Sequence, residues 1–143
     1  MKISTKGTYG LRAMIDLAIF SQFHPVSIKK IAARQEISEL YLEQIFAKLK
    51  QGGLVKSKRG IYGGYFLGKD PQHINVKEIL NILEDNLSVH SCQNDNMKIC
   101  QRASRCPTRV LWKRIDRAVH DIMESYTLED LVVEAKFQDN SLL

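Results

Sequence analysis

No stretch of this chain approaches the roughly 18 consecutive apolar residues that a membrane-spanning helix needs. Its first residues, Met1-Lys2-Ile3-Ser4, contain no apolar run of the secretory type. The expectation is a cytoplasmic protein with no membrane partner. Also missing are a nucleotide-binding glycine fingerprint, a nucleophile elbow and a convergent acid–base pair, so nothing supports an enzyme. There is no internal repeat and no low-complexity segment. Acidic residues are scarce at the front, where residues 1–69 hold 4 Asp and Glu against 12 Lys and Arg. The remaining 74 residues reverse the balance, with 12 against 9. A basic front half joined to a mildly acidic back half suits a polyanion-binding module carrying something else, although an uneven solvated surface would look the same. Cysteine is absent except at Cys92, Cys100 and Cys106, an odd number crowded into one short window. In a cytosolic chain such clustering points to metal or redox chemistry rather than to disulfides.

Hydrophobic residues make up 44% of the chain and charged ones 26%, enough apolar material for a core at this length. Leu11, Met14, Ile15, Ala18 and Ile19 recur at helical spacing, predicting a first helix over 5–20 that Pro25 brings to an end. Ser27 is an N-cap for a short helix over 28–35, with Ile28, Ile31 and Ala32 turned inward. After the tight connection Glu36-Ile37, Ser38 caps a third helix reaching about residue 51, with Leu42, Ile45, Phe46 and Leu49 as its buried stripe and Gly52-Gly53 as its stop. Two short helices about a tight turn fit a helix-turn-helix, or equally a plain helical hairpin. Two β-prone runs, 54–58 and 65–67, flank a glycine-rich turn and predict a hairpin. A fourth helix follows over 75–84. The pattern is lost over 85–106. Pro107 then suits the first position of a long helix. Val110, Leu111, Ile115, Ala118, Val119, Ile122, Met123 and Tyr126 mark its wide apolar stripe. A last short helix is expected over 128–135, with a frayed tail.

The fold class is therefore mostly α with a small β-hairpin: a winged helix-turn-helix plus a long C-terminal dimerisation helix. Its parts are a winged-helix DNA-binding domain over 1–84, a cysteine-containing loop over 85–106, and the dimerisation helix with a short C-terminal helix over 107–143. The stripe of the long helix is too wide to leave bare on so small a domain. Leu111, Ile115, Ala118, Val119, Ile122 and Tyr126 are its expected homodimer contacts.

On the third helix Leu40, Glu43, Gln44, Ala47 and Lys48 share the outward side. Glu43 can accept from a cytosine amino group and Gln44 can pair with adenine, while Ser38 and Lys48 are placed for phosphates. Both Glu43 and Gln44 also read as ordinary solvated residues. In the hairpin, Lys56, Lys58 and Arg59 stand beside a turn that only small residues make. Arg59 at a wing tip suits a narrow minor groove, and Gly60 lets backbone come close. Tyr62 is either a phosphate contact or a packing residue.

For the cysteines three readings stand: an iron–sulfur cluster, a structural zinc on Cys92, Cys100, Cys106 and His90, or three free thiols of an oxidation sensor. The spacings lack the paired knuckle of most structural zinc sites, and C-x7-C-x5-C does not fix the number of irons. If Pro107 opens the long helix, Cys106 is its N-cap and the positive helix end favours a thiolate. Lys98, Arg102, Arg105 and Arg109 add charge.

The stretches MKISTKGTYGL, ISELYLEQIFAKLKQGGLVKSKRGIYGGYFLG and YTLEDL resemble the winged-helix regulators of the IscR, NsrR and CymR type, over residues 1–131. The resemblance implies a homodimeric transcription regulator, read here as a repressor. Its third helix would read the major groove and its wing the minor groove of double-stranded DNA with a two-fold related operator. It implies DNA contacts at Ser38, Tyr41, Glu43, Gln44 and Arg59, and an iron–sulfur cluster on Cys92, Cys100 and Cys106. The [2Fe–2S] form is the expectation and [4Fe–4S] the alternative. The chain departs from the type at the fourth ligand. The position of the IscR-type histidine is Arg109, and that of the NsrR-type acidic residue is Thr8. His90, Asp95 and Glu84 are the nearby candidates. CymR-type members lack the cysteines, so the likeness to them does not carry over to sensing; the alternative function is a cluster-free or zinc-containing winged-helix regulator working through thiol oxidation or a protein partner. A redox electron carrier is the rival from another class.

Overall fold

Free amides at helix starts find side-chain partners at five places, and these set the element boundaries. In the computed structural model, which describes residues 1–93 and 100–139, Ser4 opens α1 (Thr5–Phe20), accepting from the Gly7 amide. Ser27 opens α2 (Ile28–Gln35) and Ser38 opens α3 (Glu39–Gln51). Asn75 opens α4 (Val76–Leu83), and Thr127 forms a reciprocal capping box with Asp130 at α6 (Leu128–Gln138). The exception is α5 (Pro107–Ser125), which begins with proline in its first turn and Cys106 at the cap. Strands β1 (Val55–Lys58) and β2 (Gly64–Leu67) form the antiparallel wing, with Val55 opposite Leu67 and Lys58 opposite Gly64. Two short 3-10 turns, Pro71–His73 and Ser91–Gln93, complete the described elements. The chain is thus mostly helical with one small hairpin, as the periodicity predicts.

The last helix runs three residues beyond the expected 135, where Gln138 Nε2 donates to Glu134 Oε1 at 2.8 Å. Residues 140–143 lie outside the described residues. No helix among the described residues is long and apolar enough to cross a membrane.

One core holds α1, α2, α3, α4, the wing and α6 together. Met14, Leu17, Ile31, Leu42, Ile45, Phe46, Leu49, Leu54, Ile74, Ile79 and Leu128 are its buried centre. Leu128 and Val132 place α6 in this core, so the chain returns to the winged helix after α5. A second, smaller cluster of Leu80, Leu87 and Met123, backed by Ile3, Leu11, Val76 and Val119, seats α5 on α4.

The helix-turn-helix is fixed by a polar clamp inside this apolar frame. Asp16 of α1 is buried, and its carboxylate accepts from Arg34 Nε at 2.9 Å and Nη2 at 2.7 Å, and from Gln35 Nε2 at 3.0 Å. The side-chain hydrogen bond that Arg34 donates to Asp16 raises the Arg34 pKa above its ordinary value, and the guanidinium lies 3.9 Å from the Phe20 ring centre. The turn itself uses Glu36 at φ 56°, a left-handed conformation at a non-glycine residue. It tucks Ile37 into the core.

Candidate nucleic-acid interface and metal centre

The core stripe of α3 leaves the opposite side free. Leu42, Ile45, Phe46 and Leu49 are buried, while Leu40, Glu43, Gln44, Ala47 and Lys48 are all exposed on one face. The reading face expected from the sequence therefore forms a continuous surface. Ser38 is exposed and its hydroxyl accepts from the Tyr41 amide at 3.2 Å. Tyr41 stands apart from this exposed set. It is half-buried, with its ring edge-on to Tyr9 of α1 at 5.9 Å.

The wing is tied to α3 and to the entrance of α2. Tyr65 of β2 meets Phe46 edge-on at 4.9 Å, and Lys50 Nζ donates to Ser57 Oγ at 2.6 Å. Val26 and Tyr65 exchange two backbone hydrogen bonds of 2.8 Å each. That approach needs glycine at 64, since a Cβ there would lie 2.6 Å from the Val26 backbone. The tip is open: Lys58, Arg59, Gly60, Ile61 and Tyr62 are all exposed, and Gly60 turns the chain at φ +114°. Tyr62 packs on nothing that would bury it, so the packing alternative for it is not met. The wing strands that carry the tip with Arg59 are tied to α3 by the Phe46–Tyr65 and Lys50–Ser57 contacts. Sequence reasoning missed the struts of this unit: Val26, Lys50 to Ser57, and Asp16 to Arg34. Asp16, a charge among buried α1 residues, was the one legible signal.

The cysteine loop begins and ends on α5. Val89 N–H donates to Asp116 Oδ1 at 2.8 Å, and the Met1 ammonium donates to the Val89 carbonyl at 2.8 Å. His90 stacks flat on Trp112, with centroids 4.7 Å apart and planes at 6°, and its Nδ1 accepts from the Cys92 amide at 3.2 Å. Cys92 and Cys100 are exposed, Cys106 is half-buried, and all three are free thiols. Cys106 Sγ lies 3.1 Å from Thr108 Oγ1. That hydroxyl is the first cause of a thiol pKa below its ordinary value, followed by the Arg109 and Thr108 amides and the Arg102 charge. Helix-end stabilisation at Cys106 was expected; the larger share from Thr108 was not. Cys106 opens onto a hollow of about 500 Å³ rimmed by Arg105, Arg109 and Lys113.

The fourth-ligand candidates fare differently. Glu84 Oε1 accepts from both the Ser4 amide at 2.9 Å and the Ser4 hydroxyl at 2.8 Å, which commits it to the start of α1. Asp95 lies outside the described residues, as does Lys98. His90 is beside Cys92. Arg109, at the position of the IscR-type histidine, donates to the Ala103 carbonyl at 3.1 Å and so braces the loop. Thr8 is exposed on α1. Among the described residues no three His, Cys, Asp or Glu groups are gathered for a metal. The donor chemistry nonetheless fits a thiolate-bound group: three unpaired thiols, one held toward the thiolate, beside a cationic rim.

On α5, Met123 alone is fully buried. Leu111 is 52% exposed and Ile122 60%, with Ala118 and Tyr126 exposed beside them and Ile115 half-buried. Of the residues expected at a dimer contact, Val119 is the one that packs into its own chain's second cluster.

This architecture has known counterparts. A family model described as Rrf2, an iron-dependent transcriptional regulator, matches residues 3–134. The HTH-type transcriptional regulator IscR of Photorhabdus laumondii is 40% identical over 132 residues, covering 92% of this chain and 79% of that protein. Among solved structures, CymR (YrzC), the global cysteine regulator of B. subtilis, superposes with a TM-score of 0.79 at 43% identity, over 94% of this chain and 98% of that one. T. potens IscR superposes with a TM-score of 0.76 at 37% identity, over 97% and 91%.

Proposed function

The chain belongs to the Rrf2 family of transcriptional regulators, and from that premise we propose that it is a homodimeric DNA-binding repressor of the cytoplasm controlled by an iron–sulfur cluster on Cys92, Cys100 and Cys106. The observation that carries the reading is the position of the thiols. Cys106 is the cap of α5, and α5 bears the exposed stripe of Leu111, Ala118, Ile122 and Tyr126. The ligand loop and the dimer helix share one residue boundary. A change in the loop acts directly on the element that sets the spacing of the two reading heads. A bound cluster would supply a redox-sensitive anionic centre. The chain's part is to offer thiols, with Thr108 and the α5 amides steadying the Cys106 thiolate and Arg105, Arg109 and Lys113 offsetting charge. In the [2Fe–2S] form three thiolates and one further ligand suffice, and His90 is the candidate beside Cys92.

The reading heads are two copies of the α3 face and wing, addressing a two-fold related operator. Glu43, Gln44, Lys48 and Ser38 lie on α3 and its cap, and Lys58, Arg59, Gly60 and Tyr62 on the wing. A second reading has a specific support: the half-buried Cys106 thiol is acidified by Thr108. In that reading the thiols sense oxidation with no metal.

An absorption spectrum with iron and sulfide counts on protein purified without oxygen decides between the two. The cluster reading expects a coloured protein containing iron and sulfide, with iron lost in each of Cys92→Ala, Cys100→Ala and Cys106→Ala. Helical circular dichroism should be retained, because the main core lies outside the loop, which gives only Leu87 to the smaller cluster. Colourless protein with three titratable thiols supports the thiol sensor, and one zinc without sulfide makes the site a structural clamp.

A further inference from the structure

The α3 reading face contains a residue that none of its polar neighbours explains. Leu40 is 69% exposed, in the first turn of α3, directly followed on the same face by Glu43 and Gln44. A single exposed leucine is ordinary on a protein surface. Its place is what matters. The N-terminal residues of a recognition helix are those that meet base edges, and a helical Cα–Cβ bond leans toward the N-terminus. Leu40 therefore overhangs the end of α3 that enters the groove.

Packing within the chain does not account for it. Its neighbour Leu42 is fully buried and Tyr41 rests on Tyr9, whereas Leu40 is left largely in solvent. The surroundings are set for a polyanion: the front half has 12 basic against 4 acidic residues, with Lys48 exposed on the same face and Lys58 and Arg59 exposed on the wing. In a major groove the one apolar feature on offer is the C5 methyl of thymine. We propose that Leu40 reads a thymine methyl and is a specificity-determining residue of this protein, at a base position beside those met by Glu43 and Gln44. This rests on the DNA-reading role of α3 proposed above and adds to it an apolar component that hydrogen-bond matching would not reveal. Ala47, exposed one to two turns further along the face, is too short to take the same part from a less advanced position.

The test removes one methyl group. A binding site is first selected from a random duplex pool with the full chain purified without oxygen. Each thymine of that site is then replaced in turn by deoxyuridine, which preserves pairing and lacks only the methyl. For one thymine per half-site, affinity should fall about fourfold, the value of one buried methyl-sized group. Leu40→Ala, which alters both heads of the dimer, should bind the thymine duplex about as weakly as the unaltered chain binds a duplex carrying deoxyuridine at that position in both half-sites, and should be indifferent to the substitution. Leu40 is exposed, so circular dichroism of the variant should match that of the parent; Leu40→Ser serves as a second variant with the same expectation. A flat response of the unaltered chain at every thymine, or a selected site without thymine beneath α3, overturns the assignment. An undiminished methyl effect in Leu40→Ala overturns it too, by giving the contact to another residue. Failure to select any duplex is a different result, which removes the DNA-reading role itself and this inference with it.

Discussion

Replacing Ile122 by aspartate separates the dimer surface from the fold. Ile122 is 60% exposed on α5, while the next residue, Met123, is buried in the cluster with Leu80 and Leu87. A charge at 122 should therefore leave the single chain intact, and the same change at 123 should not. If a second copy covers the 60% of Ile122 that its own chain leaves exposed, losing that burial costs about 1–2 kcal/mol, and a carboxylate in an apolar seam adds to that. A two-fold interface contains the substitution twice. The dimer should lose at least about 2–4 kcal/mol, roughly one and a half to three orders of magnitude in its dissociation constant. Sedimentation velocity across the micromolar range should show parent dimers and Ile122→Asp monomers with equal helical circular dichroism. DNA affinity should fall with dimerisation, because the two heads are no longer linked. A parent that sediments as a monomer refutes the reasoning, as does an Ile122→Asp variant that stays dimeric. If Ile122→Asp loses helix content as Met123→Asp does, the stripe is internal and the surface has been misplaced.

Arg59→Ala should weaken DNA binding by about 1–3 kcal/mol and relax the preference for A·T beneath the wing, whereas Glu43→Ala should broaden base choice with little change in salt dependence; a binding-site selection assay reads both. The Asp16–Arg34 clamp should be asymmetric. Arg34→Ala strands a buried carboxylate with only Gln35 as donor and should cost about 3 kcal/mol. Asp16→Ala lets the partly exposed Arg34 reach water and should cost about 1–2 kcal/mol in denaturant melts. Thr127 backbone and hydroxyl groups hold the Asp130 carboxyl below its ordinary pKa. Its contribution is thus present above the unfolded carboxylate pKa and lost as pH falls through the lower folded value. Asp130→Ala should melt below the parent at neutral pH, with the gap closing in acid below about pH 4.

Much of the fold was legible because its causes are local. Apolar spacing along 11–19, 42–49 and 76–83 and the caps Ser27, Ser38 and Thr127 act within a turn or two, so the residues alone place α1, α2, α3, α4 and α6. Alternation about a glycine turn does the same for the wing. The exposed face of α3 follows from its buried one by geometry, and Cys106 at the start of α5 follows from Pro107. Periodicity does not name partners, and there the tertiary structure decided. The wide stripe of α5 divides between two covers: Met123 and Val119 turn onto α4, while Leu111 and Ile122 are left for something else. Glu84, a plausible ligand by proximity in sequence, is drawn instead to the amide end of α1, eighty residues away, where a carboxylate is worth more than beside anionic thiols. Arg109 braces a loop carbonyl, and α6 folds back into the first core. Each of these depends on which distant group arrives within hydrogen-bond or van der Waals reach, and only the assembled packing of all the elements determines that.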